Sequence, residues 1–317
     1  MADAKPELVI YLAAPRGFCA GVDRAILIVD RALQKFGAPV YVRHEIVHNR
    51  HVVAALEKKG AVFVDTLDVV PDDRPVIFSA HGVAQCVFQE AQRRDLHYID
   101  ATCPLVSKVH NQARHCFNKK YHILLIGHRN HPEVIGTMGQ LPDGAITLIE
   151  TTQDAQDFHP ESDQPLAYIS QTTLSVDDTR EIIDVLQSRF PLIMGPTQDD
   201  ICYATTNRQK AVAQIVAQGA ECIYVLGSQN SSNSQRLVEV ALANGAKEAH
   251  LIDDVGDVDW GHLSRMKAIG ITAGASAPEH LVQEFLSTLR TRFAVREETI
   301  SIAREAIEFK LPASLRN

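Results

Sequence analysis

The 317-residue sequence has no stretch approaching the roughly 20 apolar residues that a membrane-spanning helix requires. The apolar run Leu8 to Ala14 follows Lys5, yet seven residues are short for a signal-peptide core, and Pro15-Arg16-Gly17 is a poor cleavage site. The run therefore reads as a buried first strand, and the protein as cytoplasmic. Basic residues are not in excess. Lys and Arg number 31 against 39 Asp and Glu, a net charge of -8, which argues against a nucleic-acid groove or an anionic membrane surface as partner. There is no G-x-x-x-x-G-K-[ST] loop and no clear G-x-G-x-x-G after a strand, so nucleotide sites of those kinds are unsupported. None of the six cysteines forms a C-x-x-C pair, and a cytosolic chain of this length needs no disulfide staples. Buried thiols and metal ligands are the two readings that remain.

What the sequence does contain is alternation. Leu8–Leu12, Val40–Val42, Val62–Val64, Val76–Phe78, Ile123–Ile126, Ala167–Ile169, Ile223–Leu226 and Ile269–Ile271 read as short buried strands. Val22 to Phe36 places apolar residues at helical spacing and ends at Gly37. Ser175 with Asp178 forms a capping-box pattern before a second apolar helix. Helical stretches lie between most strands, which predicts an α/β fold with mainly parallel sheets.

Three cysteines stand just before helix-like runs: Cys19, Cys103 and Cys202. His48 lies 29 residues after the first, His131 28 after the second, and Ser231 29 after the third, each in a polar loop that follows a strand. A second loop holds His81, Thr172 and Ser276, at 62, 69 and 74 residues from the respective cysteines. This reads as three copies of one α/β unit. We place a first strand and cysteine at 1–19, domains at 20–102, 103–198 and 199–290, and a tail at 291–317 that packs back on the first domain. The alternation of Ile307, Phe309 and Leu311 suggests that the tail includes a strand. Ligands collect at the carboxyl ends of parallel strands, so three such units would offer three thiols and six polar loops to one pocket.

Thiolate is the metal-binding form of cysteine, and a helix N-terminus favours it; Pro104 after Cys103 suits a first helical position. Three thiols on an iron–sulfur cube leave one iron open, whereas three thiols and a histidine would equally suit zinc. Cys86, Cys116 and Cys222 fall inside helix or strand patterns, where packing is the preferred reading. The run Ser231-Ser232-Asn233-Ser234 opens a helix and would meet an anion with backbone N–H groups, or simply cap the helix. Glu133, behind His131-Pro132, falls in a first helical turn. It would complement the helix dipole as an anion, or donate a proton if a dry pocket raised its pKa.

Taken in order, Gly17-Phe-Cys-Ala-Gly-Val22, Glu45-Ile-Val-His-Asn49, Ser79-Ala-His-Gly82, Asp100-Ala-Thr-Cys-Pro104, Gly127 to Val134, Gly136 to Gln140, Ser170-Gln-Thr-Thr-Leu174, Asp200 to Gln209, Asn230 to Ser234 and Thr272 to Pro278 resemble one family closely. The chain is similar to the 4-hydroxy-3-methylbut-2-enyl diphosphate reductases, iron–sulfur enzymes of the non-mevalonate isoprenoid route. That resemblance implies three similar α/β domains in pseudo-threefold order around a central [4Fe–4S] cluster held by Cys19, Cys103 and Cys202, with one open iron site. It implies that His48, His81, Ser231, Ser232, Asn233 and Ser276 hold the substrate diphosphate, that His131 and Thr172 line the pocket, and that Glu133 delivers a proton. The implied reaction is reductive dehydroxylation to isopentenyl and dimethylallyl diphosphate with two electrons and two protons, the electrons coming from a flavodoxin or ferredoxin. A zinc protein, an iron–sulfur sensor and a plain diphosphate-binding module are the rival readings of the same residues.

Overall fold

Apolar residues recur along the first strand, β1 (Glu7–Ala14), with Leu8, Ile10 and Leu12 turned into the core and Glu7 outside it. The computed structural model to which it belongs describes residues 5–316. Three sheets contain the strands, and every strand pairing within them is parallel. The first sheet comprises β2 (Val40–Arg43), β3 (Ala61–Val64), β4 (Val76–Phe78) and β5 (Tyr98–Asp100), in the order β3-β2-β4-β5. The second comprises β6 (His122–Ile126), β7 (Ile146–Ile149) and β8 (Leu166–Ser170), in the order β7-β6-β8. The third comprises β9 (Cys222–Leu226), β10 (Glu248–Ile252), β11 (Ala268–Ala273), β1 and β12 (Ala294–Ser301), in the order β10-β9-β11-β1-β12.

One strand order recurs in all three sheets: the earliest strand of the repeat is central, the next lies on one side of it and the third on the other. A fourth position beside the third strand is filled by β5, by a lone bridge between Ala167 and Met194, and by β1. The cysteine of each set follows that fourth position: Cys103, Cys202 and Cys19. The repeat seen in sequence is thus a repeat of topology, and the chain is α/β as expected.

By contact density the chain forms two compact units. One contains residues 5–19, 48–50 and 203–307, with the five-stranded sheet. The other contains 20–47, 51–202 and 308–316, with the two smaller sheets. In the first unit, Leu8, Ile10, Tyr224, Ile271, Phe285 and Leu289 fill one face of the sheet, and Ile215, Ile223, Val225 and Leu237 fill the other. Such a sheet is covered on both sides, which is why its central strands read as continuous apolar runs.

Two readings need correction. Residues 307–311 form no strand. The tail's strand is β12, which lies along the whole of β1 from Glu7↔Ala294 to Ala14↔Ser301. β12 is an edge strand and mostly exposed, so the sequence Ala-Val-Arg-Glu-Glu-Thr-Ile-Ser carries no apolar alternation to announce it. Beyond it, the Lys310 and Ser314 carbonyls accept from Arg24 Nε at 2.9 Å and Lys35 Nζ at 2.7 Å, both on the helix Ala20–Phe36. The second correction concerns Cys86, which is exposed on the helix Gln85–Arg93 rather than packed; Cys116 and Cys222 are buried.

Candidate active site

A short helix, Pro132–Met138, starts at the carboxyl end of β6. Pro132 occupies a first-turn position where no N–H is needed, and His131 caps the helix by accepting the Glu133 N–H at its Nδ1, 3.2 Å away. An accepting Nδ1 leaves the proton of a neutral imidazole on Nε2, so His131 presents a donor on its far side. The ring stands edge-on to that of His81, with centroids 6.0 Å apart. Close backbone packing permits this: a Cβ on Gly136 would come within 3.1 Å of the Gly82 carbonyl, so the helix seats directly on the loop that carries His81.

Glu133 is buried at 2% exposure, and its carboxylate turns to Thr172 at the end of β8. The Thr172 N–H donates to Oε1 at 2.7 Å and the hydroxyl to Oε2 at 2.9 Å. Burial pushes the Glu133 pKa up to about 7; the two Thr172 hydrogen bonds oppose the rise, and Asp200 adds to it. Glu133 is therefore desolvated, the condition under which a carboxyl holds its proton toward neutral pH.

The same loop reaches a cysteine, because the Thr172 carbonyl accepts the Cys202 N–H at 3.1 Å. Asp200, two residues earlier, accepts from the Ser170 N–H at 3.1 Å and pairs with Lys108 Nζ at 3.3 Å. Lys108 also donates to the carbonyls of Gln198 and Asp199. Sequence reasoning gave Lys108 and Asp200 no role; they fasten the segment that ends in Cys202.

Cys103 occupies the N-cap position of the helix Pro104–Asn118, and its N–H donates to the Ala80 carbonyl at 2.9 Å, one residue before His81. Arg24 donates to the carbonyls of Ala101 and Thr102 at 3.1 and 3.0 Å, which fixes the approach to that cysteine.

In the other unit the pattern repeats. The Cys19 N–H donates to the Ala275 carbonyl at 3.2 Å, beside Ser276. Each cysteine is thus tied by its backbone to a polar loop at the carboxyl end of a third strand. Ser231 caps the helix Ser232–Ala243 and accepts from the Ser234 N–H at 3.3 Å and its hydroxyl at 3.0 Å. Ser276 Oγ donates to the His48 carbonyl at 2.9 Å and lies 3.4 Å from Ser231 Oγ. Asn233 Oδ1 accepts the Ala275 N–H at 2.8 Å, and its Nδ2 lies 3.3 Å from Thr205 Oγ1. A Cβ on Gly274 would overlap the Ser234 hydroxyl, so only glycine allows the loop and the helix end to meet. His48, Ser231, Asn233 and Ser276 therefore form one group.

A residue unforeseen from sequence braces the approach to Cys19. Arg208 is fully buried and donates to the carbonyls of Gly17 at 2.7 Å and Ala204 at 2.9 Å, with Glu305 at 3.1 Å as counter-ion. The only hint was its place in the Asp200 to Gln209 motif.

Known proteins give the geometry its context. The family model described as LytB protein matches residues 10–290. The chain belongs to the LytB family. Similar curated proteins include two named 4-hydroxy-3-methylbut-2-enyl diphosphate reductase. One, from Hyphomonas neptunium, is 61% identical over 98% of each chain; the other, from Gluconobacter oxydans, is 56% identical over 99% of this chain and 94% of the relative. Among solved structures, the E-1-hydroxy-2-methyl-but-2-enyl-4-diphosphate reductase from Plasmodium falciparum superposes with a TM-score of 0.93 at 38% identity, covering 98% of this chain and 97% of that one. A second, described as (E)-4-hydroxy-3-methyl-but-2-enyl diphosphate reductase, the terminal enzyme of the non-mevalonate pathway, gives a TM-score of 0.64 at 27% identity, over 90% and 99%. All the motifs on which the resemblance rested fall within the LytB match. No helix among the described residues is long and apolar enough to cross a membrane.

Proposed function

We propose that this LytB-family chain catalyses the reductive dehydroxylation of (E)-4-hydroxy-3-methylbut-2-enyl diphosphate to isopentenyl and dimethylallyl diphosphate, with two electrons and two protons, as the last step of the non-mevalonate pathway. The observation that carries the reading is the buried Glu133–Thr172 pair. It supplies a carboxyl group that is partly protonated near neutral pH, at a site where a leaving hydroxyl must become water.

We assign Cys19, Cys103 and Cys202 as ligands of a [4Fe–4S] cluster. Their chemistry fits: the three thiols are in no disulfide, each is half-buried, and each residue is anchored through its own N–H to a loop carbonyl. When bound, such a cluster supplies electrons and an open iron that is a Lewis acid toward oxygen.

The remaining steps fall to the chain's own side chains. Ser231, Ser232, Asn233 and Ser276, with His48 and His81, take the diphosphate by hydrogen bonds and by the N-terminus of the helix Ser232–Ala243. Holding the diphosphate restricts how the five-carbon chain folds and so presents its hydroxyl end. His131 donates from Nε2 toward the substrate. Thr172 receives a proton from Glu133 while passing its own to the leaving hydroxyl. The reduction needs an external electron donor, which we take to be a flavodoxin or ferredoxin in the cytoplasm.

The test is anaerobic turnover with reduced viologen dye and the hydroxymethylbutenyl diphosphate. Substrate-dependent dye oxidation yielding both five-carbon diphosphates is the expected result. A brown, iron- and sulfide-loaded sample without turnover would refute the proposal.

A further inference from the structure

β10 is the outer strand of its sheet, and its first residue, Glu248, pairs in register with Cys222, the first residue of β9. Two residues on, His250 pairs with Tyr224. Side chains alternate across a strand, so Cys222, Tyr224, Glu248 and His250 share one face. Cys222 and Glu248 open the amino ends of β9 and β10, with Tyr224 and His250 at mid-strand. The polar loops of the candidate active site, with Cys19, stand at the carboxyl ends of the same sheet, and a five-residue strand separates those ends by roughly 13 Å.

Three donor atoms converge there. The Cys222 thiol, a Glu248 carboxylate oxygen and a His250 ring nitrogen all lie within 4.8 Å of one another. A cavity of about 450 Å³, lined by Tyr224, Glu248, His250, Asp257, Asp259 and His262, opens beside them. The carboxylate is held in place. His262 Nε2 lies 2.6 Å from Glu248 Oε2, and Arg265 lies 2.8 Å from His262 Nδ1. Arginine can only donate, so Nδ1 accepts, Nε2 carries the proton, and His262 donates to Glu248. Asp259 accepts the backbone N–H of His262 at 2.9 Å, which caps that short helix. A ligating group oriented by a hydrogen-bonded partner is the usual second layer of a metal site.

We propose that Cys222, Glu248 and His250 form a second metal site, one that takes a divalent transition ion, with zinc the best match. Sulfur, imidazole nitrogen and carboxylate oxygen form a borderline-soft donor set, and three protein ligands leave a fourth position for water. Zinc–ligand distances of roughly 2.0–2.3 Å require the donors to draw in by about an ångström. Exposed His250 has the freedom to do so, and Glu248 has a second carboxylate oxygen besides the one that His262 holds. On binding, the thiol proton passes to solvent and the thiolate joins the ion. The ion clamps the outer strand β10 to β9; the cluster thiols take no part, and the site is independent of the proposed reaction.

The test uses protein with its iron and sulfide reconstituted anaerobically, dialysed against micromolar zinc and then freed of unbound metal. Zinc and iron per chain are measured for wild type, His250→Ala, Glu248→Gln and Cys222→Ser. The expected result is one zinc more per chain in wild type than in each variant, with iron equal in all four, and a zinc-dependent rise in melting temperature in wild type alone. His250→Ala alters an exposed side chain, so it carries the test if Cys222→Ser folds poorly. No zinc retained by wild type, or equal zinc in wild type and His250→Ala, overturns the site.

Discussion

Thr172 meets both oxygens of Glu133, its N–H at 2.7 Å and its hydroxyl at 2.9 Å, and Glu133 is 2% exposed. Each contact favours the ionised carboxylate and burial disfavours it more, so the group balances near pH 7. A carboxyl so placed keeps a proton available at neutral pH yet gives it up readily.

Glu133→Gln keeps the shape and loses the proton. Turnover is expected to fall by about 10²–10⁴-fold, in line with the loss of one general acid, while iron content and visible absorption stay unchanged. Turnover within a few-fold of wild type would remove Glu133 from proton delivery.

The same group sets a pH dependence of stability. The folded-state pKa of about 7 lies above the ordinary 4.5, so between those values the folded chain binds more protons than the unfolded one. Stability therefore declines as pH rises from 4.5 to 7 and then levels off, by on the order of 3 kcal/mol for a shift of this size. Urea titrations at a series of pH values should show that decline in wild type and a flatter profile in Glu133→Gln. Parallel profiles would mean that the carboxyl is not buried as described.

Thr172→Val removes the hydroxyl but leaves the N–H. One interaction that holds the Glu133 pKa down is lost. Turnover should drop, and the alkaline limb of the pH–rate profile should move to higher pH. An unmoved limb would assign that limb to another group.

Cys202→Ser should lose most of its iron after reconstitution, while Cys86→Ser, altering an exposed thiol, should keep it. Iron and acid-labile sulfide per chain separate the two. Full retention in Cys202→Ser would mean that a different residue serves as ligand.

Arg208→Met deletes the buried guanidinium that bridges the Gly17 carbonyl and Glu305. Breaking a buried pair typically costs about 3–5 kcal/mol, so the urea midpoint should fall well below that of wild type. The Gly17 carbonyl lies two residues before Cys19, so iron retention should fall as well. A variant with an unchanged midpoint would show that Arg208 contributes no net stability.

Much of this was legible in the sequence because it rests on local rules. Apolar runs between turn residues marked β1, β4, β6 and β9, as burial on both faces demands. Cys103-Pro104 and His131-Pro132 announced helix starts that do form. The common spacing after each cysteine marked a repeat, and the three sheets share its strand order.

Other features depended on partners far apart in the chain. β5 is three residues long, β10 begins with Glu248 and includes His250, and β12 has Arg296, Glu297 and Glu298 at its centre, so no periodicity marks them; each is a strand because a neighbour offers its backbone groups. The sequence by itself determined the α/β class, the repeat and the residue types available for chemistry, since these follow from pattern and composition. Only the tertiary structure decided which of them meet. The pKa of Glu133 depends on burial and on Thr172, 39 positions later, and the register of β9 with β10 alone turns a core cysteine toward a carboxylate and an imidazole. Burial and register are properties of packed surfaces, and no single segment carries them.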